Sequence, residues 1–277
     1  MRIDAHQHFW RFDPVRDAWI TPEMGVLRRD FLPEHLAPLL HAAQIDGVVA
    51  VQADQSPSET AFLLSLAEQH AFIRGVVGWI DLTADDLSEQ LARYAPSVSL
   101  KGFRHIAQAE ADDFLSRPEI AAGIQTLGVH GYSYDILIYP RQLAAAAQLV
   151  AACPEVTFIL DHCAKPEIAR GVTNEWGSGF AALAAYPNVC CKLSGLVTEA
   201  AWNHWRDDDL TPVLDWALEC FGAQRLMFGS DWPVCLLAAD YTRVLAVVTR
   251  WAERLTDAER AFVFGGAAAK CYRLSPT

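Results

Sequence analysis

The apolar residues of the chain cluster in eight short runs, each bounded by turn-forming or charged residues. Most of these runs are continuously apolar, whereas a strand with one exposed face alternates apolar and polar residues. Continuous runs of this length are typical of strands that are covered on both faces. The pattern predicts eight strands: Arg2–His6, Asp46–Ala53, Ile73–Ile80, Ser99–His105, Val129–Ile138, Val156–Asp161, Val189–Leu193 and Arg225–Gly229.

Helical patterns lie between these predicted strands. Ser56, Pro57 and Glu59 form a capping box with proline at the first helical position, and they predict a helix that runs toward His70. An Ala- and Leu-rich segment from Pro140 to Cys153 predicts a second helix, and the sequence from Thr256 to Glu259 predicts the cap of a last one. Helices and strands therefore alternate along the whole chain.

Eight alternations of strand and helix in 277 residues predict an α/β fold, a single (β/α)8 TIM barrel that spans residues 1–277 as one domain. An open doubly wound sheet is the alternative, but no Gly-rich phosphate loop follows the first predicted strand. Two connections, residues 9–30 and 163–177, are long for a barrel. Both follow strands, so both are expected on the face of the barrel where active sites lie.

Composition narrows the class of protein further. The hydrophobic fraction is 52% and the mean hydropathy is +0.11, which allows a large core, and no stretch approaches the roughly 18 apolar residues of a membrane helix. The net charge of −12 argues against nucleic acid and anionic membranes as partners. The seven cysteines show no zinc-knuckle or redox spacing. We expect a soluble cytoplasmic protein that takes a small molecule.

A pair of histidines at the end of the first predicted strand is the clearest chemical signal. His6 and His8 are one residue apart, and alternate residues of a strand share a face, so Asp4, His6 and His8 are expected to project together. Two imidazoles at this spacing can share a metal ion or flank a polarised oxygen.

Polar and titratable residues recur at the ends of the other predicted strands. In a barrel these ends meet on one rim, so the residues are expected to line one site. Lys192 has two readings, a rim contact or a buried ion pair with Asp4 or Asp161, and either Arg104 or His105 is expected to contact the substrate. The residues are Gln52, Asp54, Lys101, Arg104, His105, Tyr134, Asp135, Asp161, His162, Lys192, Ser194, Ser230, Asp231 and Trp232.

Five motifs in this order resemble those of the amidohydrolase superfamily, and within it the sugar-lactonase branch. The first motif with its aromatic tail looks most like fuconolactonase-type and rhamnonolactonase-type enzymes. The resemblance covers essentially the whole chain. The motifs are residues 4–10 (DAHQHFW), 101–105 (KGFRH), 160–166 (LDHCAKP), 191–196 (CKLSGL) and 228–233 (FGSDWP).

The resemblance implies a hydrolase that opens a sugar-derived lactone, such as an L-fuconolactone, to its aldonic acid in carbohydrate catabolism. Asp231 is then the general base, and His162, His105 or Arg104 stabilises the oxyanion. The sugar is contacted by residues that include aromatic platforms and hydrogen-bond donors: Trp10, Gln52, Lys101, Arg104 and Trp232.

The metal site implied by the resemblance is incomplete. His6, His8, His162 and Asp231 match the superfamily pattern, but the histidine of the fifth strand is missing, since His130 stands at the opposite end of that strand. The resemblance therefore implies at most one divalent metal, zinc, held by His6, His8 and Asp231, and leaves its necessity open. A metal-dependent decarboxylase of an aromatic acid and an inactive barrel that binds a partner remain as alternatives. The oligomeric state is left open.

Overall fold

The computed structural model describes residues 1–275, so the last two residues of the predicted domain, 276 and 277, lie outside the described residues. The strands form one parallel sheet in which each strand pairs with the next along the chain. The predicted TIM barrel and the locations of all eight predicted strands are confirmed. The strands are β1 (Ile3–Gln7), β2 (Gly47–Val51), β3 (Ile73–Gly78), β4 (Leu100–His105), β5 (Ser133–Ile136), β6 (Phe158–Leu160), β7 (Val189–Leu193) and β8 (Leu226–Phe228).

Hydrogen bonds between the ends of the first and last strands close the barrel. The amide of His8 donates to the carbonyl of Trp232 at 2.7 Å, and the amide of Asp231 donates to the carbonyl of His6 at 2.8 Å. The closing bonds therefore hold the histidine pair and Asp231 side by side.

Helices follow the strands and cover the outside of the barrel. In the described part of the chain none of them is long and apolar enough to cross a membrane. The helices are α1 (Pro33–Ala43), α2 (Pro57–Gln69), α3 (Leu87–Tyr94), α4 (Pro118–Val129), α5 (Leu143–Ala152), α6 (Asn174–Ala184), α7 (Leu196–Glu199), α8 (Asp207–Phe221), α9 (Tyr241–Trp251), α10 (Asp257–Ala261) and α11 (Ala267–Cys271).

Local sequence signals set several of the helix ends. The hydroxyl of Ser56 accepts a hydrogen bond from the amide of Glu59 at 3.2 Å and caps α2, as predicted. The hydroxyl of Thr256 caps α10 in the same way. The predicted fifth strand begins too early, because α4 continues to Val129 and Gly131 turns the chain at φ +79° before β5 starts.

The apolar core has two layers. One fills the space between the sheet and the helices, and the other fills the N-terminal end of the barrel, where burial of each Ile or Val contributes roughly 1.5–3 kcal/mol. α11 and Tyr272 close that end of the barrel. The inner layer includes Ile3, Ala5, Val49, Val51, Val77, Ile159, Met227, Ala267, Ala268 and Tyr272. The apolar layer thus fills the end of the barrel opposite to the histidine pair.

A β-bulge in β1 alters the direction of its side chains. The register with β2 shifts between Asp4 and Gln7, so Ala5 and His6 both face the interior. Asp4 faces outward, where its carboxylate accepts hydrogen bonds from the amide of Ser230 at 2.8 Å and from the hydroxyl of Tyr241 at 3.1 Å. The expectation that Asp4 shares a face with the histidines is wrong, because simple alternation does not survive a bulge.

Candidate active site

A cavity of about 330 Å³ opens at the C-terminal end of the barrel. This volume is in the range of small-molecule sites, roughly 300–1,000 Å³. The wall combines polar and titratable groups with apolar and aromatic side chains. The lining residues include His8, Trp10, Trp19, Gln55, Arg104, Ile106, Gln108, Leu137, His162, Lys165, Asp231 and Val234.

Three potential metal ligands converge at the base of this cavity. His6 Nε2 lies 3.2 Å from His8 Nε2, and Asp231 Oδ1 lies 3.7 Å from His6 Nε2 and 3.4 Å from His8 Nε2. Ligand atoms in a tetrahedral zinc site, at about 2.0–2.1 Å from the metal, are about 3.3–3.4 Å apart. Two imidazole nitrogens and one carboxylate oxygen are also the ligand types that zinc takes. The donor set therefore fits one zinc ion with positions left open.

Neighbouring groups orient the two imidazole rings. His8 Nδ1 lies 2.7 Å from the carbonyl of Val51, so this nitrogen carries the proton and Nε2 faces the cavity with its lone pair. His6 Nδ1 lies 3.3 Å from Asp161 Oδ1 and 3.0 Å from Lys192 Nζ. Burial, together with Lys192, lowers the pKa of His6 well below its usual value, so the ring is neutral.

The carboxylate of Asp231 is charged in this setting. Burial raises its pKa, but the opposing effects of His162, His8 and His6 are larger and hold the pKa below its ordinary range. Asp231 also has a positive φ of 57°, which turns its side chain into the cavity. A carboxylate that stays ionised at neutral pH can act as a metal ligand or as a base.

His162 opens a left-handed turn directly after β6. Four successive residues that are not glycine, His162 to Lys165, have φ between 49° and 57°. This conformation costs each of them about 1–2 kcal/mol, and such strain is typical of functional sites. Ser194 holds the ring of His162 through a contact of 2.8 Å to Nδ1. Burial lowers the pKa of His162 to about 4.

Gly195 is required by the close approach of this ring. A Cβ at Gly195 would lie 2.5 Å from His162 Nδ1, and its φ of +63° favours glycine as well. The Ser194 and Gly195 pair at the end of β7 therefore fixes the imidazole that β6 presents.

Arg104 lies beneath the cavity with 4% of its surface exposed. Its Nη1 donates to Asp161 Oδ2 at 3.0 Å, and its Nη2 donates to the backbone carbonyl of Gln52. The Gln52 side chain is fully buried and donates in return to the Arg104 carbonyl at 3.0 Å. Of the two candidates on β4, the structure brings Arg104 to the cavity wall. Gln52 lies outside that wall and holds Arg104 in place.

Lys192 occupies the barrel interior below His6 and forms a buried ion pair. Its Nζ lies 2.6 Å from Asp135 and 2.9 Å from Asp161, while Asp4 faces the other side of β1. Of the two readings from the sequence, the buried pair is correct, with Asp161 as one of the predicted partners and Asp135 as an additional one.

Besides Gln52, three predicted site residues lie away from the cavity. His105 neighbours Arg104 and faces the opposite side of β4, where it contacts Glu110 at 3.0 Å and stacks on Phe114. Lys101 stands near the start of β4 and reaches the carbonyl of Arg273 at the N-terminal end of the barrel. Trp232 is 2% exposed and packs edge-on against Phe9 and Phe31. Strand direction accounts for Lys101 and alternation for His105, whereas Trp232 lies beyond the end of β8 and its ring packs in the apolar core.

The aromatic residues of the cavity wall come from the long connection after β1. Trp10 and Trp19 line the wall, with their ring centroids 5.9 Å apart in an edge-to-face arrangement. Trp10 is fixed by a hydrogen bond from Nε1 to the Arg29 carbonyl at 2.9 Å. Sequence reasoning missed Gln55 and Gln108, since both lie in connections that no motif marks. Lys165, in contrast, belongs to the motif that contains His162.

Comparison with known proteins agrees with this geometry. A family model described as amidohydrolase matches residues 3–274. The chain belongs to the amidohydrolase family. The resemblance found in the motifs of the sequence is thereby confirmed, and it extends over nearly the whole chain.

Two curated proteins and one crystal structure are similar to this amidohydrolase. An L-fucono-1,5-lactonase from Burkholderia multivorans is 48% identical, over 99% of this chain and 96% of that protein. An L-fucono-1,5-lactonase from Burkholderia ambifaria is 37% identical over the same shares of the two chains. A crystal structure of a B. multivorans amidohydrolase with bound zinc superposes with a TM-score of 0.96, at 48% identity, and covers 99% of this chain and 100% of that one.

Proposed function

We propose that this amidohydrolase hydrolyses a sugar-derived lactone of the L-fucono-1,5-lactone type to the aldonic acid. The observation that carries the proposal is the 48% identity, over 99% of the chain, to an L-fucono-1,5-lactonase. The cavity supports it, since the charged carboxylate of Asp231 and the imidazoles of His8 and His162 face a small space that aromatic side chains also line. These are the groups that ester hydrolysis of a compact, polyhydroxylated ring requires.

In the proposed reaction Asp231 is the general base. It takes a proton from a water molecule as the water oxygen attacks the lactone carbonyl carbon, and the bond between that carbon and the ring oxygen then breaks. The proton passes from Asp231 to the departing ring oxygen, which becomes a hydroxyl group. Because the pKa of Asp231 is low, the proton is returned readily. The carboxylic acid that results ionises and releases one proton to solvent.

The developing oxyanion needs hydrogen-bond donors at the cavity wall. His162 and Arg104 are the lining groups suited to this role, because both side chains are held rigidly by buried partners. His6, His8 and Asp231 would hold one zinc ion, which when bound would act as a Lewis acid toward the carbonyl oxygen. Trp10 is proposed to contact the apolar face of the sugar ring.

The test is a pH-indicator assay of acid release from a panel of aldonolactones, with wild type and two variants. Asp231→Asn should lower kcat by about 10²- to 10⁴-fold, the usual contribution of a general base. Asp85→Asn, at an exposed position, is the matched control and should match wild type. Acid release by Asp231→Asn at the wild-type rate would refute the assigned base. No release from any lactone by wild type would refute the proposed function and favour the decarboxylase alternative.

A further inference from the structure

Lys165 is a cation of the cavity wall that none of the roles above uses. It lines the cavity together with His162. Its Nζ lies 3.4 Å from Glu199 Oε1, and both side chains are only 18% exposed. Nζ also lies 5.6 Å from the centre of the Tyr139 ring. An ion pair shielded to this degree holds the lysine in one place more firmly than a surface pair does.

The left-handed turn places Lys165 beside His162. The amide of Lys165 donates to the carbonyl of His162 at 2.8 Å and closes a turn of three residues. With three residues per turn, side chains three apart lie above one another on the same face. Trp176 fixes the turn from behind through a hydrogen bond from Nε1 to the Cys163 carbonyl at 2.9 Å. The strained backbone thus directs an imidazole and an ammonium group into the same cavity.

Arg104 is the more deeply buried of the two cations of the wall, with 3% of its side chain exposed against 18% for Lys165. The guanidinium of Arg104 is engaged by Asp161 and by the carbonyl of Gln52 beneath the cavity. The ammonium of Lys165 has three hydrogens, and Glu199 takes one of them. Two donors therefore remain for a ligand in the cavity, and a charged donor suits the hydroxyl oxygens of a sugar ring.

We propose that Lys165 binds hydroxyl groups of the lactone and so selects a polyhydroxylated substrate, with Glu199 as the residue that positions it. This inference rests on the proposed function. It assigns Lys165 to substrate binding, separate from Asp231, which carries out the proton transfer.

The experiment compares L-fucono-1,5-lactone with δ-valerolactone, which has the ring ester but no hydroxyl groups. Lys165→Met should raise KM for fuconolactone by about 10- to 100-fold, the value of a hydrogen bond to a charged group, with a much smaller change in kcat. Binding of δ-valerolactone, measured by turnover or by competitive inhibition, should stay within about twofold of wild type. Lys270→Met, on the exposed side of α11, is the control and should leave the kinetic constants for both lactones unchanged.

Glu199→Gln tests the positioning role. It should raise KM for fuconolactone by less than Lys165→Met does, and in the double variant it should add nothing further, because Glu199 acts through Lys165. Equal losses for both lactones in Lys165→Met would overturn the inference, as would additive effects in the double variant. Wild type that hydrolyses neither lactone would instead refute the proposed function itself, so the two failures are distinguishable.

Discussion

Lys192 Nζ lies 2.6 Å from Asp135 Oδ2 inside the barrel, and both side chains are fully buried. Tyr272, which follows α11, donates its hydroxyl to the same carboxylate oxygen at 2.6 Å. Asp161 lies 2.9 Å from the same Nζ and 3.0 Å from Arg104 Nη1, so two cations and two carboxylates form one buried network. Polar contacts therefore run without a break from Tyr272 through Asp135 and Lys192 to His6, and the positive and negative charges of the network are equal in number.

Removing one charge from this network should be costly. In Lys192→Met, Asp135 loses its cation and Asp161 keeps only Arg104, so the free energy of unfolding should fall by about 3–5 kcal/mol. Tyr272→Phe removes one hydrogen bond to a charged group and should cost about 1.5–3 kcal/mol. Urea unfolding followed by tryptophan fluorescence measures both. Lys270→Met is the control, and a Lys192→Met variant as stable as this control would contradict the assigned network.

If the proposed zinc site is correct, removing one of its ligands should lower the affinity of the protein for zinc. Substitution of groups that merely orient a metal ligand lowers affinity by roughly 10- to 100-fold. His8→Ala removes a ligand itself, so its zinc affinity, measured by calorimetric titration of chelator-treated protein, should fall by more than that. His35→Ala, on α1, should bind zinc as wild type does. Equal zinc binding by His8→Ala and wild type would show that the ligand set is wrong.

Glu59 makes stability depend on pH. Burial raises the pKa of this carboxyl from 4.5 to about 7, against the opposing hydrogen bond from the amide of Ala53. The folded protein therefore holds the proton more tightly than the unfolded chain, and stability falls as pH rises from about 4.5 to about 7. Above that range the loss is complete and constant.

Glu59→Gln removes this titration and keeps an oxygen that accepts from Ala53. Between pH 5 and pH 8 the free energy of unfolding of the variant should rise relative to that of wild type by about 2.5 kcal/mol. Urea unfolding at the two pH values measures the difference. Glu68→Gln, exposed on the same helix, should show no such trend. A pH-independent difference between Glu59→Gln and wild type would contradict the raised pKa.

The barrel and the centre of the candidate site follow from the sequence, because both depend on strand order. His6, His8, His162 and Asp231 stand at strand ends, and the ends of parallel strands meet whatever the connections do. The bulge that turns Asp4 outward was not predictable, since it alters alternation without altering composition. The left-handed turn that directs Lys165 inward was also hidden, since His162 to Lys165 contains no glycine to mark it.

The motif assigns His105 to the catalytic site, whereas its position on β4 places it outside, and a substitution distinguishes the two. Its ring lies against Phe114 and Glu110, on the side of β4 opposite to Arg104, so it should have no part in turnover. His105→Phe keeps the stacking on Phe114 and should retain kcat/KM for a fuconolactone within about threefold. His162→Phe removes a proposed oxyanion donor and should lower kcat by about 10²-fold or more. Steady-state kinetics on both variants, with the melting temperature as a check on folding, decides between the two histidines. A 100-fold loss of kcat in a stably folded His105→Phe variant would return this residue to the catalytic site.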